Sequence, residues 1–364
     1  MPINPVTRRG ATKGRGATYD PPARFESLQR GGWDDGWPET HGQEEAPRRT
    51  ELLRDTARSM ITRNRSPDVP FDRSINPYRG CEHGCIYCFA RPSHAYLGFS
   101  PGLDFETRIL HKPEGPELLR RELARPGYRC APVALGVNTD AYQPTEKRLR
   151  LTRRLLEVLA EARHPVSLIT KSGLIRRDLD LLRDMARDNL VQAAVSVTTL
   201  DRHLSRTLEP RAAAPYRRLE TIEALAAAGV PTQLSVAPVI PVLTDSELET
   251  IMSAGRNAGA RSASYILLRL PHEVKDLFRA WLSEHRPDAA AHVMARVRET
   301  RGGRDNDARF GARMRGSGIH AELLRRRFDV QYRRLGFSPL PSLVTALFRP
   351  PAEISQGDLF EQAG

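Results

Sequence analysis

The sequence predicts an α/β fold on a parallel sheet: a partial (β/α)6 TIM-like barrel with a basic α-helical C-terminal cap and flexible termini. Three observations carry this reading. Short β-rich apolar runs recur between residues 73 and 270, and helical patterns separate most of them at intervals of roughly 30 residues. After Pro271 the strand signals stop and Arg-rich helical patterns follow. Parallel neighbours need crossovers of this kind. Spacing barely separates a barrel from a doubly wound sheet; the count of six strands favours the barrel.

In chain order, residues 1–60 are rich in Gly, Pro, Arg and acids and read as a flexible basic extension. Within it, residues 50–62 place Leu52, Leu53, Ala57 and Met60 at the spacing of a short amphipathic helix. The core spans 61–272, with strands expected at 73–77, 132–137, 166–170, 193–197, 233–240 and 263–270. Residues 145–163 set Leu149, Leu155, Leu156 and Leu159 near one helical face, and 178–188, 215–228 and 246–258 are further helices. Gly229 is a plausible left-handed residue ending the third. The cap, 273–336, has helices at 273–285, 288–299 and 321–335 around a Gly- and Arg-rich loop at 301–318. Residues 337–364 form a Pro-rich tail.

Composition narrows the function classes. The chain has 364 residues and a formal net charge of +12, and five lysines leave 51 of its 56 basic residues as Arg. From 296 to 335, twelve Arg face five acids, a local excess of seven that suits a polyanion as well as a solvated face. No apolar run approaches the ~20 residues of a membrane span. No apolar segment follows the basic N-terminal residues, so the expected compartment is the cytoplasm. Four cysteines, three within eight residues, do not make a disulfide framework and point to a metal site in a reducing compartment.

That site is Gly80-Cys81-Glu82-His83-Gly84-Cys85-Ile86-Tyr87-Cys88. Three thiolates spaced C-x3-C-x2-C can bind three irons of a [4Fe–4S] cubane and leave the fourth open. An open iron can chelate the amino and carboxylate groups of S-adenosylmethionine (SAM), whose reductive cleavage gives a 5′-deoxyadenosyl radical. Structural zinc would need a fourth ligand, His83 or Cys130, and x3-then-x2 is poor zinc-finger spacing. A cubane bound at all four irons would also need Cys130.

With Tyr87 before the last cysteine, this motif resembles the radical SAM superfamily, and the likeness extends over about 71–272. Within it the chain is similar to the spore photoproduct lyase-like group. The likeness rests on Asn76-Pro77-Tyr78-Arg79-Gly80, Gly136-Val137-Asn138-Thr139-Asp140, Thr170-Lys171-Ser172, Val195-Ser196-Val197, Glu209-Pro210-Arg211 and Ala237-Pro238-Val239-Ile240-Pro241. The resemblance implies that Tyr87 lies beside the adenine and that Thr139, Lys171 and Ser196 contact SAM, Lys171 through the methionine carboxylate. Glu209 and Arg211 fit a local ion pair equally well. Asn138 stands where the photoproduct lyases carry a cysteine that returns hydrogen to the product radical, so that step does not transfer.

One cysteine beyond the triad leaves no auxiliary cluster, sulfur-inserting or dual-cysteine mechanism. The expected function is a one-cluster radical SAM enzyme acting on nucleic acid, DNA more than RNA, with Arg301, Arg304, Arg309, Arg313 and Arg315 gripping phosphate. It would draw its electron from a donor such as flavodoxin or ferredoxin. The alternatives are a radical SAM enzyme for a protein or small anionic metabolite, the Arg-rich cap serving as lid, and a non-catalytic Fe–S protein. In the tail, Gln356, Leu359 and Phe360 resemble the Q-x-x-L-F peptide that binds the bacterial sliding clamp.

Overall fold

A computed structural model of the chain describes residues 14–25 and 49–351. Among the described residues, ten strands lie in two sheets. β1 (Glu51–Arg54), β4 (Tyr78–Arg79) and β5 (Arg108–His111) make the smaller one. The larger holds β2 (Ile61–Arg63), β3 (Arg73–Ile75), β6 (Val133–Leu135), β7 (Val166–Thr170), β8 (Val191–Ser196), β9 (Thr232–Val239) and β10 (Ser262–Leu267), in the order β10-β9-β8-β7-β6-β3-β2. From β3 to β10 every pairing is parallel; only β2 joins antiparallel, on β3. The sheet is open, since β2 and β10 are its two edges.

The six parallel strands are the six apolar runs read from the sequence. Helices Leu151–Glu161, Leu179–Arg187, Pro215–Ala227 and Leu248–Asn257 connect the last five of them. Each sets an apolar stripe on the sheet: Leu155, Leu156, Leu182, Ile222, Leu225 and Ile251 are all fully buried in one core with Leu168, Val195 and Leu234. Burying such a side chain contributes roughly 1.5–3 kcal/mol. Gly229 ends the third helix at φ +79, a backbone conformation that costs glycine little.

Four regions differ from expectation. Residues 50–62 form β1 and β2, not a helix, because β5 and β3 offer parallel and antiparallel ladders that a short amphipathic segment cannot match alone. Residues 14–25, expected in a loose extension, pack against the body, with Ala17 fully buried and the backbone N–H groups of Gly16 and Ala17 donating to Glu106. The C-terminal helices do not gather in one place. Val274–His285 and Pro287–Glu299 share a second apolar core with Ile86, Leu204 and Leu208. Ile319–Arg334 instead lies against helix Leu248–Asn257, where Arg327 pairs with Glu249 at 2.6 Å. Finally, residues 338–351 of the expected tail are docked: Val344 N–H donates to Asn189 O and Arg349 N–H to Ala162 O. Gln356, Leu359 and Phe360 lie outside the described residues. Among the described residues, no helix is long and apolar enough to cross a membrane.

Phe348 anchors the docked tail, with its ring 5.4 Å from that of Tyr128 and 5.5 Å from that of His164. Phe348→Ala is expected to lower stability in urea denaturation by about 1–3 kcal/mol. A loose tail would tolerate the change without a shift in midpoint.

Candidate functional site

The C-terminal ends of the parallel strands meet the cysteine loop around a cavity of about 180 Å³. Its wall includes Gly136–Asp140 after β6, Thr170 and Lys171 at β7, Ser196 at β8, the cis Ala237–Pro238 peptide of β9 and residues 266–269 at the end of β10. From the loop come Cys81, His83, Cys85, Tyr87, Cys88 and Phe89. The structure therefore gathers the cysteines and the residues expected to contact SAM. Cys81, Cys85, Cys88, Tyr87, Thr139, Lys171 and Ser196 all line this one cavity.

The cysteine loop has no regular secondary structure, so its backbone polar groups need other partners. Cys81 N–H donates to Phe105 O, Ile86 N–H to Leu208 O, and Gln143 bridges Glu82 N–H and Gly80 O. Arg91, fully buried, does most of the remaining work. Its guanidinium donates to Gly84 O, Cys85 O, Pro101 O and Gly102 O, and pairs with the buried Glu106 at 2.5 Å. Glu106 in turn accepts from Gly16 and Ala17, tying the N-terminal segment to the loop. Gly84 (φ +67) and Gly16 meet here, and a Cβ at Gly16 would overlap the Gly84 carbonyl.

The fit to a cluster can be judged from the thiols. All three are free and turned into the cavity, while the free Cys130 lies away from it. Burial pushes each of the three thiols above its ordinary pKa, so a metal would have to displace their protons. Among the described residues, no three His, Cys, Asp or Glu side chains are grouped to hold a single metal ion. Structural zinc would demand four donors about 3.8 Å apart around one centre. Thiols spread around a cavity fit a polynuclear cluster, in which each binds a separate iron.

Behind Tyr87 lies a network centred on Glu209, which is buried and accepts from Tyr87, Arg218 and Thr198. Lys171 Nζ is 3.2 Å from it and also donates to Thr198 Oγ1 and Ala237 O. Burial opposes the charge on Glu209, yet Arg218 and Lys171 hold its carboxyl well below the usual range. Glu209 does not pair with Arg211, which instead reaches Glu82 at 3.2 Å. Also in the wall, Asp140 accepts from Thr170 Oγ1, Lys171 N–H and Tyr142 N–H, and lies 3.3 Å from His83 Nδ1. Thr139 Oγ1 donates to Tyr78 O at 2.8 Å, which fixes its hydroxyl toward the backbone.

Several contributors escaped the sequence reading. Arg91, Glu106, Gln143 and Arg218 carry no motif of their own, and their roles follow only from which carbonyls the fold leaves unpaired. Asp140 and Phe89 adjoin residues already singled out, so adjacency was the available signal. Arg269 sits past β10 with its guanidinium carbon 4.1 Å from the centre of the Phe89 ring, and burial lowers its pKa to about 10. His94 is buried away from the cavity, its Nε2 3.0 Å from Arg108 O, and Tyr96 is solvent-exposed.

Of the arginines expected to grip phosphate, Arg301 is buried and donates to the carbonyls of Leu267, Leu268, Ala312 and Arg313. It holds the loop together and cannot reach a polyanion. Arg313 pairs with Asp68 and Ser66, and Arg309 with Asp307. Arg304 and Arg315 are exposed.

Comparison with known proteins gives a consistent picture. Residues 75–254 match the radical SAM superfamily. An uncharacterized protein of Mycobacterium tuberculosis is 41% identical over 233 residues, covering 64% of this chain and 67% of that protein. Another, from Methanocaldococcus jannaschii, is 25% identical over 197 residues, or 54% of this chain and 71% of the relative. Among solved structures, a spore photoproduct lyase variant superposes with a TM-score of 0.56 at 15% identity, covering 79% of this chain and 80% of the other. A second, complexed with dinucleoside spore photoproduct, gives 0.54 with the same coverage. At this identity the likeness is one of fold.

Replacing Glu209 tests the buried network. Glu209→Gln leaves Arg218 and Lys171 short of their counter-charge and is expected to cost about 3–5 kcal/mol at neutral pH. Because the folded-state pKa is depressed, the carboxylate's contribution is complete above its ordinary value of 4.5 and fades as pH falls toward the folded value. Urea midpoints should therefore drop more steeply below that pH in the native protein than in Glu209→Gln.

Proposed function

This chain belongs to the radical SAM superfamily, and from that premise we propose that it is a one-cluster enzyme acting on nucleic acid, with Cys81, Cys85 and Cys88 as its iron ligands. Membership implies a [4Fe–4S] cluster and SAM. When bound, the cluster supplies an electron that splits SAM into methionine and a 5′-deoxyadenosyl radical, which abstracts hydrogen from the substrate. The observation that carries the reading is the single cavity in which three free cysteines meet Tyr87, Thr139, Lys171 and Ser196.

Each residue then has a task that its environment supports. Arg91 and Gln143 fix the loop so that the three thiols keep their spacing as ligands are exchanged. Tyr87, its hydroxyl held by Glu209 and Thr198, offers a rigid ring face to the adenine. Ser196 contributes a hydroxyl from the end of β8. Lys171 reaches the cavity already engaged by Glu209, Thr198 and Ala237, so pairing with the methionine carboxylate requires it to exchange one of those partners. Thr139 makes the same kind of exchange with Tyr78 O if it is to bond SAM.

The nucleic-acid assignment draws on the net charge of +12, the exposed Arg304 and Arg315, and the fold shared with spore photoproduct lyase. It parts from that enzyme at hydrogen return. Asn138 lines the cavity where the lyases have a cysteine, and the one thiol outside the triad, Cys130, is not in the cavity wall. The substrate radical must therefore be quenched by another group, and DNA modification is as well served as lesion reversal. A low-potential flavodoxin or ferredoxin would supply the electron.

Two measurements check this. Anaerobic reconstitution should load about four irons, with an EPR signal that changes on adding SAM, and Ala at Cys81, Cys85 or Cys88 should abolish loading and 5′-deoxyadenosine formation. Cys130→Ala should leave both intact; loss of the cluster there would end the three-ligand assignment. Separately, the salt dependence of DNA binding should flatten by about two counterions in Arg304→Gln, Arg315→Gln. An unchanged slope would favour a small anionic metabolite or protein substrate.

A further inference from the structure

Among the buried or half-buried arginines, one stands apart. Arg91, Arg177, Arg218 and Arg301 all donate to carboxylates or carbonyls. Arg269 lines the cavity with its guanidinium over the ring of Phe89 at 4.1 Å, and Arg313, Cys88 and Asp68 are near enough to act on its charge. Among the described residues nothing accepts a hydrogen bond from it. The carboxylate that acts on it, Asp68, is committed to Arg313 and the backbone N–H of Gly311. A partly desolvated cation with an empty donor fork is costly unless something fills it.

We propose that Arg269 and Phe89 form a phosphate subsite at the rim of the cavity, where a phosphate of the nucleic-acid substrate docks and an adjacent base stacks on the open part of the Phe89 ring. The inference rests on the nucleic-acid reading and gives it a location. Two observations favour a substrate phosphate over the SAM carboxylate. Tyr87 and Ser196, the deep wall of the cavity, are 6% and 4% exposed, whereas Phe89 is 41% exposed. Arg269 therefore faces the side by which a large substrate enters. Its neighbour Arg313, anchored by Asp68 and Ser66, adds a second positive charge on that side. A planar guanidinium also takes two phosphate oxygens at once, and an exposed ring beside it is the pairing that single-stranded nucleic acids use.

The test compares thymidylyl-(3′→5′)-thymidine with its uncharged methylphosphonate analogue, by equilibrium binding to the reconstituted full-length protein with SAM present. The wild type should prefer the charged dinucleotide by about tenfold, equivalent to about 1.4 kcal/mol. Arg269→Gln should bind both alike and keep its SAM affinity, Arg269→Lys should retain part of the preference, and Phe89→Leu should weaken both ligands while preserving it. A preference that survives in Arg269→Gln overturns the subsite, as does a loss of SAM affinity in that variant. If neither dinucleotide binds the wild type, the nucleic-acid reading fails, and inorganic pyrophosphate then decides the subsite alone. Binding that Arg269→Gln abolishes keeps it as an anion site, and no binding ends it.

Discussion

Glu209 is a carboxylate with no access to water, and it holds together pieces of chain that are distant in sequence. Lys171 arrives from the end of β7, Thr198 from beyond β8, Tyr87 from the cysteine loop and Arg218 from helix Pro215–Ala227. None of these polar groups is stable alone in the interior, and each is there because the others are. Removing the charge therefore loosens the cysteine loop, two strand ends and a helix together. The cost of burying the network is carried by the apolar sheet beneath it, where Val195 and Leu168 are almost wholly excluded from solvent.

The cysteine loop depends on a second buried pair in the same way. The segment that carries the three cysteines forms no helix or strand, so its backbone carbonyls have no regular ladder to join. Its carbonyls are left for Arg91, whose five donors match the need, and Glu106 balances that charge. Glu106 has acceptor capacity to spare, and the N-terminal segment uses it through Gly16 and Ala17. A stretch that looks unstructured by composition is thus tied to a carboxylate about ninety residues further along the chain, and Asp20, Pro21 and Arg24 add contacts to Leu103, Ser100 and Glu273.

Charge counting was the weaker guide. The Arg excess between 296 and 335 suggested a single polyanion-binding face, yet Arg301 is consumed in capping carbonyls, and Arg309 and Arg313 in ion pairs. Arginine serves both purposes because its fork suits carbonyls and carboxylates as well as phosphate. Arg269, which drew no notice as a single residue after a strand, is the one whose donors are left open at the cavity. The difference lies in partners, and partners are a property of the fold.

The sequence by itself determined the cysteine spacing, the six parallel strands and their connecting helices. These are local or periodic signals: thiols at fixed offsets, apolar runs of strand length, stripes at helical spacing. Placing Thr139, Lys171 and Ser196 at strand ends was also legible, because parallel strands with short loops bring their C-terminal ends to one side. Only the tertiary structure decided that the sheet stays open, that residues 50–62 are strands, and that Glu209 takes Arg218 and Lys171 rather than Arg211. Those outcomes turn on contacts between residues far apart in the chain, where the winner is set by which unpaired donor or acceptor the fold brings within reach. Local propensity holds no record of that competition.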